Sequence, residues 1–208
     1  MSHRNTPVRD LIFPIGVFKK DDDGEFEMVS FLGTGFVFGT QGFALTAAHV
    51  VTCSLAENHL IMGMFVNANN NQWEVQNIDI CDIHPKEDVA LLKLSGFRLT
   101  EKAIEISFDK QFSAFEYKLF GYPYELSQPV GAGCSGSPIF WLKGHTPVVV
   151  GIYLADKSES LVFNGFNENL QWGLQTIELP GSLSYAVRMD SLSDWIPKKL
   201  NAFLTEAP

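Results

Sequence analysis

No apolar run in this sequence is long enough to span a bilayer. The early stretch Leu11 to Phe18 is broken by Pro14 and Gly16 and follows the polar segment MSHRNTPVRD. A membrane helix needs about 20 apolar residues, and a secretory leader needs an uninterrupted hydrophobic core. Basic charge is also scarce. Fifteen Lys and Arg stand against 24 Asp and Glu, a net charge of −9, which argues against nucleic acid or an anionic membrane surface as a partner. Cysteine is limited to Cys53, Cys81 and Cys134. Three is an odd number, and no pair has the C-x2-C spacing of a zinc site, so neither a disulfide framework nor a structural metal is indicated. The Asn-x-Ser/Thr acceptor sequence is missing as well. Together these absences predict free thiols and a cytoplasmic protein.

What remains is a globular composition, 46% apolar and 19% charged, distributed in short segments punctuated by glycine. Phe13 to Lys19 and Glu25 to Leu32 read as strands around Asp21-Asp22-Asp23-Gly24, a hairpin signal. The triple Asp lacks the spaced ligands and closing Glu of a calcium loop. Gly33-Thr34-Gly35 opens a further strand at Phe36 to Phe38, and Phe43 to Thr46 continues it. Leu60 to Val66, Trp73 to Ile80, Val89 to Leu94, Ala103 to Ile106, Glu116 to Phe120, Pro138 to Leu142, Val148 to Leu154 and Ser184 to Val187 have the same character. Residues 155–182 are less regular and hold one or two irregular strands. Only the end has helical spacing: Leu192, Trp195, Ile196, Lys199 and Leu200, with Ser191 as N-cap. The pattern predicts an all-β protein of barrel or sandwich type with a C-terminal helix.

Three short stretches carry chemistry. In Thr46-Ala47-Ala48-His49-Val50-Val51, a histidine follows a strand on one helical turn; it can be a core residue, or an imidazole at a barrel rim. In His84-Pro85-Lys86-Glu87-Asp88, the aspartate precedes the apolar strand Val89 to Leu94; it can cap that strand or serve as a buried carboxylate. In Gly131-Ala132-Gly133-Cys134-Ser135-Gly136-Ser137-Pro138, a hydroxyl lies in a glycine turn with bare backbone N–H groups. Each stretch is ambiguous alone, but together they satisfy acyl transfer. Serine needs a base such as His49, and the base needs a carboxylate such as Asp88 on its other nitrogen. The oxyanion needs donors, which the Gly133 and Ser135 amides can supply. His3, His59, His84 and His145 belong to no such set and are expected at the surface or in loops.

The motifs GTGFVF…FALTAAHV, HPKEDVALLKL, GCSGSPIF, VVGIY and SYAV…DWI resemble the trypsin-like, chymotrypsin-fold serine peptidases, closest to the bacterial, HtrA-like, short single-domain branch. The resemblance covers residues 10–200 and includes the order His, Asp, Ser. It implies two antiparallel β-barrels: residues 10–100, carrying His49 and Asp88, and residues 101–208, carrying Ser135 and the terminal helix. It also implies that Gly151, Ile152 and Tyr153, within Val150-Gly151-Ile152-Tyr153, form the edge strand that pairs with an extended polypeptide substrate. No metal or organic cofactor is required.

The sequence departs from that pattern in places. Cys134 stands where secreted members carry an aspartate, and no R-[IV]-[IV]-G-G cleavage site is visible, so zymogen clipping is not expected. Cys134 could be proposed as nucleophile, but glycine follows Ser135 and not Cys134. Ser137 replaces a second motif glycine. Only about ten residues separate Tyr122-Pro123 from the serine turn, too few for the usual hairpin, so the second barrel is expected to be abbreviated. The segment Ser127-Gln128-Pro129-Val130 offers no acid, which predicts an uncharged, small-to-medium apolar P1 side chain, with Asp156 the one acidic exception. No PDZ-like extension is visible. The competing functional readings are a catalytically impaired peptide- or protein-binding module of the same fold, and an esterase using the same three residues.

Overall fold

The structure is a computed structural model that describes residues 8–21, 23–66, 72–95, 104–110, 116–122, 133–143, 146–166 and 172–206. Six strands form the first half: β1 (Ile12–Lys20), β2 (Phe26–Phe38), β3 (Phe43–Thr46), β4 (His59–Val66), β5 (Trp73–Ile83) and β6 (Ala90–Leu94). They close into an antiparallel barrel in the order β1-β2-β3-β6-β5-β4. Closure removes the unpaired edges that an open sheet would expose. Phe13, Ile15, Leu92 and Leu94 lie on one face of the barrel wall and Phe36, Leu45 and Leu91 on the other, and all are fully buried. The Phe13 ring stacks 4.5 Å from Phe65. It occupies space left by two strand glycines, because a Cβ on Gly35 or Gly63 would lie 2.7 or 2.9 Å from its atoms.

The second half holds β7 (Glu105–Ile106), β8 (Lys118–Leu119), β9 (Pro138–Lys143), β10 (Thr146–Phe166) and β11 (Trp172–Arg188). Among the described residues these form an open five-stranded sheet, β11-β10-β9-β8 with β7 parallel to β10, and not a second closed barrel. Residues 123–132, the short segment from which an abbreviated second barrel was expected, lie outside the described residues. The boundary expected at 100–101 also lies outside them. One hydrophobic cluster runs through both halves, joining Phe36 and Leu45 to Phe140, Val149, Ile152 and Val187.

Two segments differ from their sequence-based expectation. Phe26–Phe38 is one strand, and Gly33-Thr34-Gly35 lies inside it. Residues 155–166 and 172–182, within the stretch expected to be irregular, belong to the long antiparallel pair β10–β11, whose pairing runs from Gly151↔Arg188 to Phe166↔Trp172.

A C-terminal helix, α2 (Trp195–Glu206), packs back on the first barrel. It begins at Trp195, not after Ser191, whose hydroxyl donates to the Arg188 carbonyl within a 3-10 turn. Pro197 is tolerated because the first helical turn has no N–H acceptors to satisfy. Trp195 and Ile196 are buried. The Trp195 indole N–H and the Lys199 ammonium both reach Asp82 Oδ2 on β5, each at 2.9 Å. No helix among the described residues is long and apolar enough to cross a membrane.

Partial burial acts to raise the Asp82 carboxyl pKa. Hydrogen bonds from Lys199 and Trp195, with the Lys199 charge, outweigh it and hold the group below the ordinary aspartate value of 3.8. A depressed folded-state pKa contributes stability above the unfolded value and loses it as pH falls through the folded one. Asp82→Asn should therefore destabilise the protein at pH 7 by about 1–2 kcal/mol, the scale of a hydrogen-bonded charge partly screened by water. Urea unfolding should show the wild-type advantage shrinking below pH 4. An advantage that grows on acidification would contradict the pairing.

Candidate active site

Thr46 ends β3 in the buried wall of the barrel, and the next residues turn into α1 (Ala48–Val51). Ala47 and Ala48 are buried, so this single helical turn lies flat on the barrel and leaves the His49 side chain 49% exposed at its rim. Asp88 reaches His49 from the β5–β6 connection. One carboxylate oxygen accepts the His49 backbone N–H at 2.9 Å and the other lies 2.5 Å from Nδ1. A carboxylate there makes Nδ1 the donor and leaves Nε2 as a lone-pair acceptor. Nε2 has no partner among the described residues.

The serine turn packs on the same wall. Gly133 and Gly136 have φ of +85° and +88°, the left-handed region glycine favours. At Gly136 the fit is close as well, since a Cβ would lie 2.1 Å from the Thr34 carbonyl oxygen, 2.2 Å from Thr46 Oγ1 and 3.0 Å from the Ala47 nitrogen. A Cβ on Gly33 would meet both Val50 and the Ser135 carbonyl. Gly33 thus lets β2 touch the turn, whereas Gly35 makes room for Phe13. Thr34 makes the joint: its N–H donates to the Ser135 carbonyl at 2.8 Å, and its hydroxyl donates to the Gly133 carbonyl at 2.9 Å. Thr34 Oγ1 also accepts the Tyr122 N–H at 3.1 Å. The turn is pinned from the other side by Gly136 N–H to the Tyr153 carbonyl and by Tyr153 N–H to the Ser137 carbonyl.

With the turn's carbonyls occupied, the Gly133 and Ser135 N–H groups have no acceptor among the described residues. Two idle amides beside a hydroxyl form a place for a developing oxyanion. The Ser135 hydroxyl donates to the Leu154 carbonyl at 2.5 Å and makes no hydrogen bond to His49. Cys134 is buried at 4% exposure, away from this opening. None of the three cysteines is in a disulfide. Burial and the neighbouring Asp79 push the Cys81 thiol up to about 11, which leaves it protonated at neutral pH. No cluster among the described residues could hold a metal ion.

Gly151, Ile152 and Tyr153 do not form a free edge, which corrects the substrate-binding expectation. Ile152 lies between Pro138 on β9 and Val187 on β11, and Gly151 between Ile139 and Arg188. Tyr153 pairs with Ala186, and its own N–H and carbonyl are used by the serine turn. All three are buried. Among the described residues, pairing of β10 with β9 stops at Ile152↔Pro138 and the serine turn takes Tyr153, so that edge has no strand partner from Leu154 onward. The Ser127 to Val130 segment, named for P1 preference, lies outside the described residues, as does the Asp156 side chain.

No family model matches the chain, and no curated protein matches it in sequence. Among solved structures, the crystal structure of Deg5 aligns over 90% of this chain and 88% of its own, with a TM-score of 0.56 and 15% identity. The fold is that of the trypsin-like, HtrA-type proteases. A second structure, the HtrA-type protease AlgW with a decapeptide, aligns over 95% of this chain at TM-score 0.57 and 13% identity. This chain covers 66% of that AlgW chain.

Sequence reasoning left two supporting residues unassigned. Thr34 was signalled by glycines on both sides. His84 was expected to be a surface or loop residue, yet its Nδ1 accepts backbone N–H groups in the loop that carries Asp88.

Thr34→Val keeps the side-chain shape but removes both hydroxyl hydrogen bonds. It should cost about 1–3 kcal/mol, read by urea unfolding, and should speed hydrogen exchange at residues 133–137 relative to the barrel strands. Thr34→Ser should restore both. Wild-type exchange in Thr34→Val would show that the hydroxyl does not hold the turn.

Proposed function

We propose that this protein is a serine endopeptidase that cleaves extended polypeptides through an acyl-enzyme intermediate. Ser135 is the nucleophile, His49 the general base and acid, and Asp88 the carboxylate that orients His49. The observation that carries this reading is the Asp88 carboxylate gripping both the backbone N–H and Nδ1 of His49, with Nε2 left unpartnered. The Ser135 turn packs against Thr46 and Ala47, immediately before that histidine.

The steps follow from these groups. Ser135 Oγ turns from the Leu154 carbonyl to His49 Nε2, gives up its proton there and attacks the scissile carbonyl carbon. The carbonyl oxygen becomes an oxyanion held by the Gly133 and Ser135 amides. His49 returns the proton to the leaving amine as the tetrahedral intermediate collapses to an acyl-serine. Water, deprotonated by the same imidazole, then releases the acid. The substrate backbone pairs with the β10 edge from Leu154 onward, in place of the buried Gly151–Tyr153 segment. The AlgW neighbour, solved with a decapeptide, is consistent with that mode. An uncharged P1 side chain and a cytoplasmic location remain part of the reading.

One observation favours the alternative of a binding module with an impaired cleft: the Ser135 hydroxyl is engaged by the Leu154 carbonyl and not by His49. A fluorophosphonate probe separates the two. Covalent labelling of the wild type that disappears in Ser135→Ala supports the peptidase, and absence of labelling in folded wild type supports the binder.

His49→Ala should lower turnover of a peptide substrate by at least about 10³-fold while leaving the unfolding midpoint near that of wild type, because the half-exposed ring contributes little to the core. Cys134→Ser should keep most activity. A loss as deep as that of Ser135→Ala would move the nucleophile to the thiol.

A further inference from the structure

The connection between β5 and β6 must place Asp88 without a regular ladder to hold it, since pairing stops at Ile83↔Ala90. Two backbone hydrogen bonds close the loop, His84 N–H to the Val89 carbonyl at 2.9 Å and Val89 N–H to the Glu87 carbonyl at 2.8 Å. The remaining inward donors converge on one atom. The Lys86 and Glu87 N–H groups point at His84 Nδ1, at 3.3 and 2.9 Å. A side chain accepting N–H groups two and three residues ahead is the geometry by which Asn or Asp organises a turn; here an imidazole does it. An accepting Nδ1 carries no proton, so the proton of the neutral ring is on Nε2.

The ring is itself braced. It meets the Trp195 ring edge to face at 5.1 Å, and Trp195 is anchored by its indole N–H on Asp82. Asp82 and His84 are two residues apart at the end of β5, the spacing that puts side chains on one face of a strand. The first turn of α2 covers them both. Asp88 follows directly after the two amides that His84 binds, and its carboxylate ends on His49.

We propose that His84 is the positioning residue for Asp88: by capping the Lys86 and Glu87 amides under Trp195, it fixes the carboxylate that sets the His49 tautomer. This rests on the peptidase reading for its consequence in turnover, but not for its consequence at His49. His84→Ala should lower kcat by about 10- to 100-fold, the scale of a misplaced catalytic group, with KM little changed. His84→Asn supplies an acceptor at the same reach and should recover most of that loss. His84→Gln places the acceptor one methylene too far and should not.

The second readout needs no turnover. Long-range proton–nitrogen correlation at His49 should show a protonated Nδ1 in wild type and His84→Asn, and mixed tautomers in His84→Ala and His84→Gln. A single Nδ1-protonated tautomer in all four proteins overturns the proposal. So does unfolding of the Ala and Gln variants while Asn remains native, which would make His84 a determinant of barrel stability alone. A wild type that turns over no substrate but shows the expected tautomer shifts removes the peptidase reading and leaves the positioning role standing.

Discussion

The joint between Thr34 and the serine turn is the interaction on which the rest of the arrangement depends. Ser135 and His49, the proposed nucleophile and base, come from opposite halves of the chain. Alignment comes from the Thr34 N–H on the Ser135 carbonyl and the Thr34 hydroxyl on the Gly133 carbonyl. Both acceptors belong to the residues whose N–H groups would bind an oxyanion. Because the peptide unit is planar, each of these carbonyls shares its plane with the N–H of the next residue, Cys134 or Gly136, and the Gly136 N–H is in turn held by the Tyr153 carbonyl. Thr34 therefore holds the turn against β2. The close approach this requires explains why Gly33 and Gly136 are glycines, as any Cβ would strike the opposing backbone.

A second constraint acts on His49. The Asp88–His49 pair is substantially exposed, with side-chain exposures of 36% and 49%, so water screens its Coulomb attraction and it contributes little to stability. Its importance is geometric. Two carboxylate oxygens on a backbone N–H and a ring nitrogen define the ring's orientation as well as its tautomer. An exposed pair can hold such geometry only if the loop that carries it is rigid for other reasons. Those reasons lie in the opposite direction from the cleft, in His84, Trp195 and the Asp82–Lys199 contact of the terminal helix.

These two constraints explain which features were legible in the sequence. The first barrel was readable because its strands are short, apolar and separated by glycine turns, and because TAAH, HPKED and GCSG carry their chemistry in local composition. Gly33-Thr34-Gly35 was misread as a break because glycine ordinarily weakens a strand; Gly33 and Thr34 meet the Ser135 turn, about a hundred residues away in sequence, and Gly35 makes room for Phe13. The β10–β11 pair was obscured because the alternating polar and aromatic residues of 155–182 are interrupted by Gly165, Gly173 and Gly181, which read as turn signals. Gly151 to Tyr153 matched an edge-strand motif, yet whether a strand is an edge depends on where β9 stops, which no local pattern encodes. His84 looked unassigned because its partners are backbone amides, and these have no sequence signature.

The open second sheet gives this division of labour its physical sense. A closed barrel buries its own core and can present a loop independently of its neighbours. The β8–β11 sheet instead shares one hydrophobic cluster with the first barrel through Phe140, Val149, Ile152 and Val187. Its apolar face is covered only when the two halves are docked, and burial of that surface is the main favourable term in the docking. Docking in turn brings Gly136 against Thr34 and Thr46 and places the Ser135 turn beside the segment that carries His49. Formation of the candidate site and burial of the second sheet are therefore a single event.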